Sequence, residues 1–264
     1  MTSSDVRRVV SVVVGLAIGA SPAAAQRVTL RVHPPIGDTL HMELQQQFDM
    51  QAMDGGGSPM SGTLRVWTHS VPLRRSGTST EVLSVTDSVV VTPPSAASLR
   101  PLREAKRALE GRTVHLRVEE NGEMIVGRND GTSAPAQLPS VLPHGPVVVG
   151  ESWTRDLRVP LSTTGTSTAL ARTTFRLDSL GHDGVVAFVS MRGDVSHDHA
   201  EDGNGATGQT TGTLTGTMQI DRRLSWITDS RMRMSLTSDV RTPGRAPARV
   251  RMQITQMLRT LPGS

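Results

Sequence analysis

The sequence predicts an all-β protein: a large curved antiparallel sheet, half-barrel-like, with one short helix packed on it. Three observations predict this fold. Apolar and polar residues alternate through most of the chain, turn dipeptides separate the alternating runs, and only one segment has helical spacing. Period-two alternation gives a strand one dry and one wet face, which is typical of antiparallel sheets. Several runs are longer than the usual strand, and long strands twist and curve.

Residues 1–25 have the three parts of an export signal. Two arginines precede an apolar stretch that ends at Ala20, and Ala23 and Ala25 provide the small residues that a signal peptidase requires. The apolar stretch is shorter than the roughly 20 residues needed to cross a bilayer, which favours cleavage over anchoring. We therefore expect an exported protein, periplasmic or extracellular, that does not span a membrane after processing. Its mature chain is expected to fold as a single β-rich domain over 26–264.

Strands and turns can be placed along the mature chain. The clearest alternating runs are 38–51, 113–119, 213–220, 224–236 and 249–258. Asn121-Gly122 and Asp183-Gly184 are turn dipeptides that favour hairpins. Segments rich in Gly, Thr or Ser predict flexible loops near 52–61, 162–168 and 197–212, although the Gly/Thr-rich stretches at 162–168 and 202–213 also fit strand ends.

The predicted helix begins at Ser98, which can cap it, and ends near Gly111. Pro101 lies in its first turn, where a missing N–H is tolerated. The residues at helical spacing are Leu99, Leu102, Lys106 and Leu109. A helix this short cannot cover a large sheet, so we expect it to close one end or lie across the concave face.

Composition excludes several classes of protein. The chain has no cysteine, which rules out disulfides, thiolate metal sites and a cysteine nucleophile. Aromatic residues are only 2% and no run of five or more basic residues occurs, so no nucleic-acid partner is expected. The net charge is only +4. No cofactor is expected, because the literal G-x-G-x-x-G match from Gly203 to Gly208 lacks the preceding strand and the following helix of a dinucleotide site.

The densest cluster of metal-ligating residue types lies within the loop predicted at 197–212. His197 and His199 point the same way if this segment is extended, and Asp202 could complete a site. A solvated loop tip fits the same residues, and both interpretations stay open. The chain has no G-x-S-x-G elbow and no H-E-x-x-H motif, and no catalytic residue is assigned.

Methionines are frequent on the predicted dry faces. Methionine is flexible and suits surfaces that adapt to varied apolar ligands, but it also fills cores that lack aromatic residues. The sequence does not decide between these two roles. The candidate ligand-lining residues are Met42, Leu44, Met218, Met232, Met234 and Met252.

The most distinctive stretch is Leu138-Pro139 followed by Pro146-Val-Val-Val-Gly-Glu-Ser-Trp153. It resembles a signature, roughly L-P…P-V-x-V-G-[DE]-x-W, of uncharacterised exported β-rich domains of bacteria. The layout is also similar, at the level of fold, to half-barrel periplasmic lipoprotein carriers. In physical terms, Pro146 ends a loop, Val147 to Val149 form a strand, Gly150 permits a tight turn, and Trp153 packs at the start of the next strand.

These observations favour an exported, non-catalytic protein that binds a lipid, another apolar small molecule or a hydrophobic envelope component. One alternative is a structural or interaction module that contacts an envelope protein and holds no small ligand. A second alternative is a metal-dependent enzyme that uses the 197–202 loop.

Overall fold

A computed structural model describes most of the chain after the predicted signal. The described residues are 27–54, 58–92, 106–126, 137–138, 140–160, 168–199, 207–241, 243–244 and 246–261. The strands are β1 (Leu40–Ala52), β2 (Met60–Ser76), β3 (Ser79–Thr92), β4 (Thr113–Glu119), β5 (Met124–Val126), β6 (Gln137–Leu138), β7 (Ser152–Pro160), β8 (Thr168–Gly181), β9 (Val186–His199), β10 (Thr207–Asp221), β11 (Trp226–Arg241) and β12 (Ala248–Leu261).

These strands form one antiparallel sheet in the order β6-β5-β4-β3-β2-β1-β12-β11-β10-β9-β8-β7. Neighbours in the sheet are also neighbours in the chain except at the centre, where β1 pairs with β12 and joins the two ends of the described chain. The sheet is curved and does not close, with β6 and β7 at its edges. The predicted all-β, curved antiparallel fold is confirmed.

All five alternating runs lie in strands, and both turn dipeptides connect paired strands. Gly122 (φ +82°) turns β4 into β5, and Asp183 (φ +55°) with Gly184 (φ +84°) turns β8 into β9. These backbone angles are ones that Gly and Asp adopt more readily than other residues.

The predicted loops are shorter than expected. β9 continues to His199 and β10 starts at Thr207, so the loop prediction is wrong for 197–199 and 207–212, while 200–206 lie outside the described residues. β2 likewise begins at Met60 and β8 at Thr168. In β10 the side chains of Thr211, Thr213, Thr215 and Thr217 face outward, and the glycines lie close to the backbone of β11, so a Gly/Thr-rich segment forms a regular strand.

The sheet has two unlike faces. The apolar face, on which Leu44, Phe175 and Met234 lie, supplies the strand residues of one continuous buried core. The outer face carries Thr, Arg, Asp and Glu side chains, including the ion pair in which Nε of Arg249 lies 2.6 Å from Oδ1 of Asp239. The hydrogen bond from Arg249 lowers the pKa of Asp239. Exposed pairs of this kind add little stability, so packing of the apolar face holds the fold together.

The N-terminal segment 27–39 ties the two halves of the sheet together at one end. The Val32 amide donates to the carbonyl of Glu120 (2.9 Å) in the β4–β5 turn, and the His33 amide donates to the carbonyl of Ser225 (2.8 Å) in the β10–β11 turn. Its buried apolar side chains are Val28, Leu30 and Val32. This segment therefore closes one end of the apolar face.

The N-terminal segment 27–39, which we call the N-terminal strap, contains the titratable side chain of His33. Burial lowers the pKa of its imidazole, and the charge of Arg75 lowers it further. Glu120, whose Oε1 lies 3.6 Å from Nδ1 of His33, acts in the opposite direction, while Arg31 again lowers the pKa. The balance favours the neutral imidazole in the folded protein.

The described part of the predicted helix is its last turn, Lys106–Leu109; residues 98–105 lie outside the described ranges. Gly111 (φ +72°) ends it, as predicted. Beyond Val85 strand β3 has no pairing with β4. There Nζ of Lys106 donates to the Val89 carbonyl (2.6 Å) and Glu110 accepts from the Val89 amide (3.0 Å). These side chains satisfy a strand edge that would otherwise be exposed, and the hydrogen bond from Lys106 lowers the pKa of Glu110.

Candidate ligand-binding face

The six predicted lining residues lie on the apolar face. Strand register places Met42 and Leu44 of β1 on the same face as Met252 of β12, and continues through Met234 and Met232 of β11 to Met218 of β10. The alternation pattern therefore identified the correct face of four separate strands. Whether these residues contact a ligand stays a prediction.

Burial divides these six residues into two groups. Met218 and Met234 are 3% and 1% exposed and belong to the core. Met42, Met232 and Met252 are half-buried and pack against that core. Leu44 is half-buried but does not pack against the core cluster. The methionines thus mainly fill space in a core that has few aromatic rings, as the structural interpretation of methionine expects.

Leu44 lies at the centre of a half-buried apolar row. Val66 of β2 is its cross-strand partner on one side, and Leu258 of β12 is its partner on the other. Like Leu44, both are half-buried and do not pack against the core cluster. We call these three residues the central row. Cross-strand partners lie about 4.5–5.5 Å apart at Cβ, so the three side chains form a continuous apolar strip.

The sequence alone did not point to Val66. It lies in β2, where Arg65, Val66, Trp67 and Thr68 alternate only weakly. Leu258 was on a predicted dry face, but nothing local showed that it would stand beside Leu44. Only the pairing of β1 with β12 brings residues 44 and 258 together.

The surroundings of the central row are uncharged. On this face, the described residues of β1, of β2 as far as Ser70, and of β12 carry no Asp, Glu, Lys, Arg or His side chain. The adjacent row places Gln46 opposite Gln256, with Leu64 beside them. The surface can therefore bury an apolar group, and its two amides can hydrogen-bond a neutral polar group.

The structure describes only part of the predicted metal cluster. His197 lies at the end of β9 on the apolar face, opposite Thr210 of β10. The side chain of His199 and the whole of Asp202 lie outside the described residues. Within the part of the chain that is described, no three His, Asp or Glu side chains come together as a metal site. The metal hypothesis stays a prediction.

The stretch from Pro146 to Trp153 differs from the expected structure in the backbone conformation of Val147–Val149. Val147–Val149 do not form a strand, because only Val147 pairs, in a single bridge with Val28. The next residues close a turn instead: the Glu151 carboxylate accepts from the Val148 amide (2.9 Å), and the Glu151 amide donates to the Val148 carbonyl (3.0 Å). A turn that satisfies its own backbone groups has none left for a sheet.

Trp153 lies at the start of β7, where it is half-buried and packs against the core. Gly150 adopts φ +91° and β7 begins two residues later. The indole of Trp153 stacks on Phe175 with ring centroids 5.8 Å apart, and its Nε1 donates to the carbonyl of Val141 (2.9 Å). Trp153 therefore anchors the exposed Pro146 loop to the edge of the sheet, a packing role with no chemistry implied.

Within the described ranges, no helix has the length and apolar character needed to pass through a membrane. No protein-family model matches the chain, and no curated protein shows significant similarity to it.

Proposed function

We propose that this is an exported, non-catalytic binding protein for a lipid or another hydrophobic component of the cell envelope. The observation that carries the proposal is the central row: Leu44, Val66 and Leu258 are aligned on three neighbouring strands, are only half-buried, and lie outside the core cluster. A protein that needed this face only for stability would be expected to pack these residues as completely as Met234 and Leu214.

The energy available from such a surface is sufficient for binding. Each methylene group removed from water contributes about 0.8 kcal/mol, so an acyl chain that buries about ten methylenes gains roughly 8 kcal/mol before the costs of ordering it. The absence of charged side chains beside the described central row means that no charge must be desolvated. The export signal predicted at 1–25 would deliver the protein to the compartment where envelope lipids are found.

A fluorescent probe tests the site directly. N-phenyl-1-naphthylamine is uncharged and apolar, and its emission rises in an apolar environment. We expect the purified chain to bind it, and a Leu44→Gln/Leu258→Gln variant to bind about tenfold more weakly. The matched control is Val90→Gln/Leu170→Gln, which changes two residues that are 48% and 50% exposed, both on the outer face.

The control should bind the probe as the unchanged chain does, and thermal melting should show that both variants are folded. Equal loss in the two variants, or no binding by the unchanged chain, would remove the proposal. Native mass spectrometry of protein extracted from the envelope then identifies the natural occupant. A co-purifying lipid supports the proposal, whereas a protein partner without lipid would favour the interaction-module alternative.

A further inference from the structure

A cavity separate from the central row lies at the end of the sheet that the N-terminal strap closes, and its lining is strongly basic. Its volume is about 260 Å³, and it is lined by Arg27, Thr29, Arg31, Arg222 and Ser225. We call it the basic pocket. No motif in the sequence indicates it, because its arginines come from segments almost 200 residues apart.

The strap brings two of these arginines to one side. Val28, Leu30 and Val32 are all at most 3% exposed and point into the core. In an extended chain the intervening side chains point the opposite way, which places Arg27 and Arg31 together on the surface. The hydrogen bond from the His33 amide to the carbonyl of Ser225 holds this side of the strap against the β10–β11 turn.

Arg222 in that turn supplies the third guanidinium. Its Nη1 donates to the carbonyl of Gly184 in the β8–β9 turn, which fixes the direction of the side chain. Its Nε is buried and has no hydrogen-bond partner in the structure. A buried N–H of a charged group without an acceptor is costly, and such groups are normally satisfied by a partner, water or a ligand.

The three arginines make no ion pair among the residues that the structure describes. None of the described ion pairs includes Arg27, Arg31 or Arg222. The nearest acid in sequence, Asp221, uses Oδ1 to accept from the backbone amides of Arg223 (2.8 Å) and Leu224 (3.0 Å). The pocket is therefore lined by three arginines without ion pairs, one of which has a buried Nε–H that no described group accepts.

We propose that the basic pocket binds a phosphoryl group, carried either by free phosphate or by the head group of a phosphate monoester lipid. Guanidinium groups bind phosphate oxygens through paired, charge-assisted hydrogen bonds, and Thr29 adds a hydroxyl to the cavity wall. The inference rests on observations separate from those for the central row and holds whether or not that surface binds a ligand.

Isothermal titration calorimetry with inorganic phosphate, at constant ionic strength in chloride buffer, tests one source of the group. Sedimentation with phosphatidylcholine vesicles, with and without phosphatidic acid, tests the other. The test variant is Arg27→Gln/Arg31→Gln, which changes exposed residues and leaves the structural bond of Arg222 intact. The control, Arg65→Gln/Arg233→Gln, removes the same charge from exposed arginines of the outer face.

We expect the unchanged chain to bind phosphate, phosphatidic acid vesicles or both, and the test variant to bind at least about tenfold more weakly while the control is unaffected. Binding of both probes supports a general phosphoryl site, and binding of only one identifies its source. No binding of either probe, or equal loss in the test and control variants, would overturn the inference. Loss of probe binding at the central row would not affect this result.

Discussion

The close packing of β10 against β11 gives the sharpest prediction. A Cβ atom added at Gly212 would lie 2.1 Å from the carbonyl oxygen of Ser235 and 2.9 Å from the Cα of Leu236. Contacts between carbon and oxygen are normally near 3.3–3.6 Å, so the strands would have to separate by about 1 Å. Both neighbours are backbone or Cα atoms inside a hydrogen-bonded pairing and cannot move alone.

Gly212→Ala is therefore expected to lower the free energy of unfolding by about 1–3 kcal/mol, the range for overpacked sites. For a domain of this size each kcal/mol lowers Tm by about 2–4 °C. The assay is urea unfolding followed by circular dichroism, with the m-value compared between variants to detect any change in the unfolded state.

Gly145→Ala is the matched control, since an added Cβ there meets nothing within 4 Å. It should be neutral or slightly stabilising, because alanine reduces the freedom of the unfolded chain. If Gly212→Ala behaves like Gly145→Ala, residue 212 is not held in the tight pairing, and the loop predicted from its Gly/Thr-rich sequence would be the better description.

Three further outcomes are expected. Trp153→Phe should keep an aromatic ring but leave the Val141 carbonyl without its donor, which lowers the free energy of unfolding by about 1 kcal/mol, whereas Trp153→Ala should lower it by about 3 kcal/mol. In urea unfolding, an unchanged stability of Trp153→Phe would contradict the hydrogen bond, and equal losses in the two variants would contradict the packing of the ring. The pKa of His33 is lowered in the folded state, so the unfolded chain takes up the proton first as the pH falls below about 6.5, and stability is lost there. His33→Gln should flatten the stability profile below pH 6.5, and an unchanged slope would refute this assignment. N-terminal sequencing of the exported protein should begin at Gln26, and an intact Met1 would contradict cleavage after Ala25.

Much of the fold could be predicted because the alternation of apolar and polar residues is a local property of each strand's sequence. The clearly alternating strands show their two faces through their own residues, as Leu40 to Met50 do in β1 and Val114 to Val118 do in β4. Turn residues such as Asn121-Gly122 likewise act through their own backbone preferences. The helix end at Gly111 was predictable for the same reason.

The secondary-structure predictions were wrong where contacts with other residues, rather than local propensity, decide the backbone conformation. Val147–Val149 have strand propensity, but the side chain of Glu151 draws them into a turn. The glycines of β10 have turn propensity, but the close approach of β11 makes them suitable for a strand. Propensity is a preference of about 1 kcal/mol, and tertiary packing outweighs it.

The sequence by itself determined which side of each clearly alternating strand is apolar, and hence that the candidate residues from Met42 to Met252 share one face of a sheet. Only the tertiary structure decided that β1 pairs with β12, that Leu44 stands beside Leu258 outside the core, and that Arg31 and Arg222 line one cavity. Alternation is a property of adjacent residues, whereas pairing between distant segments depends on the combined packing of all strands, and no local pattern records it.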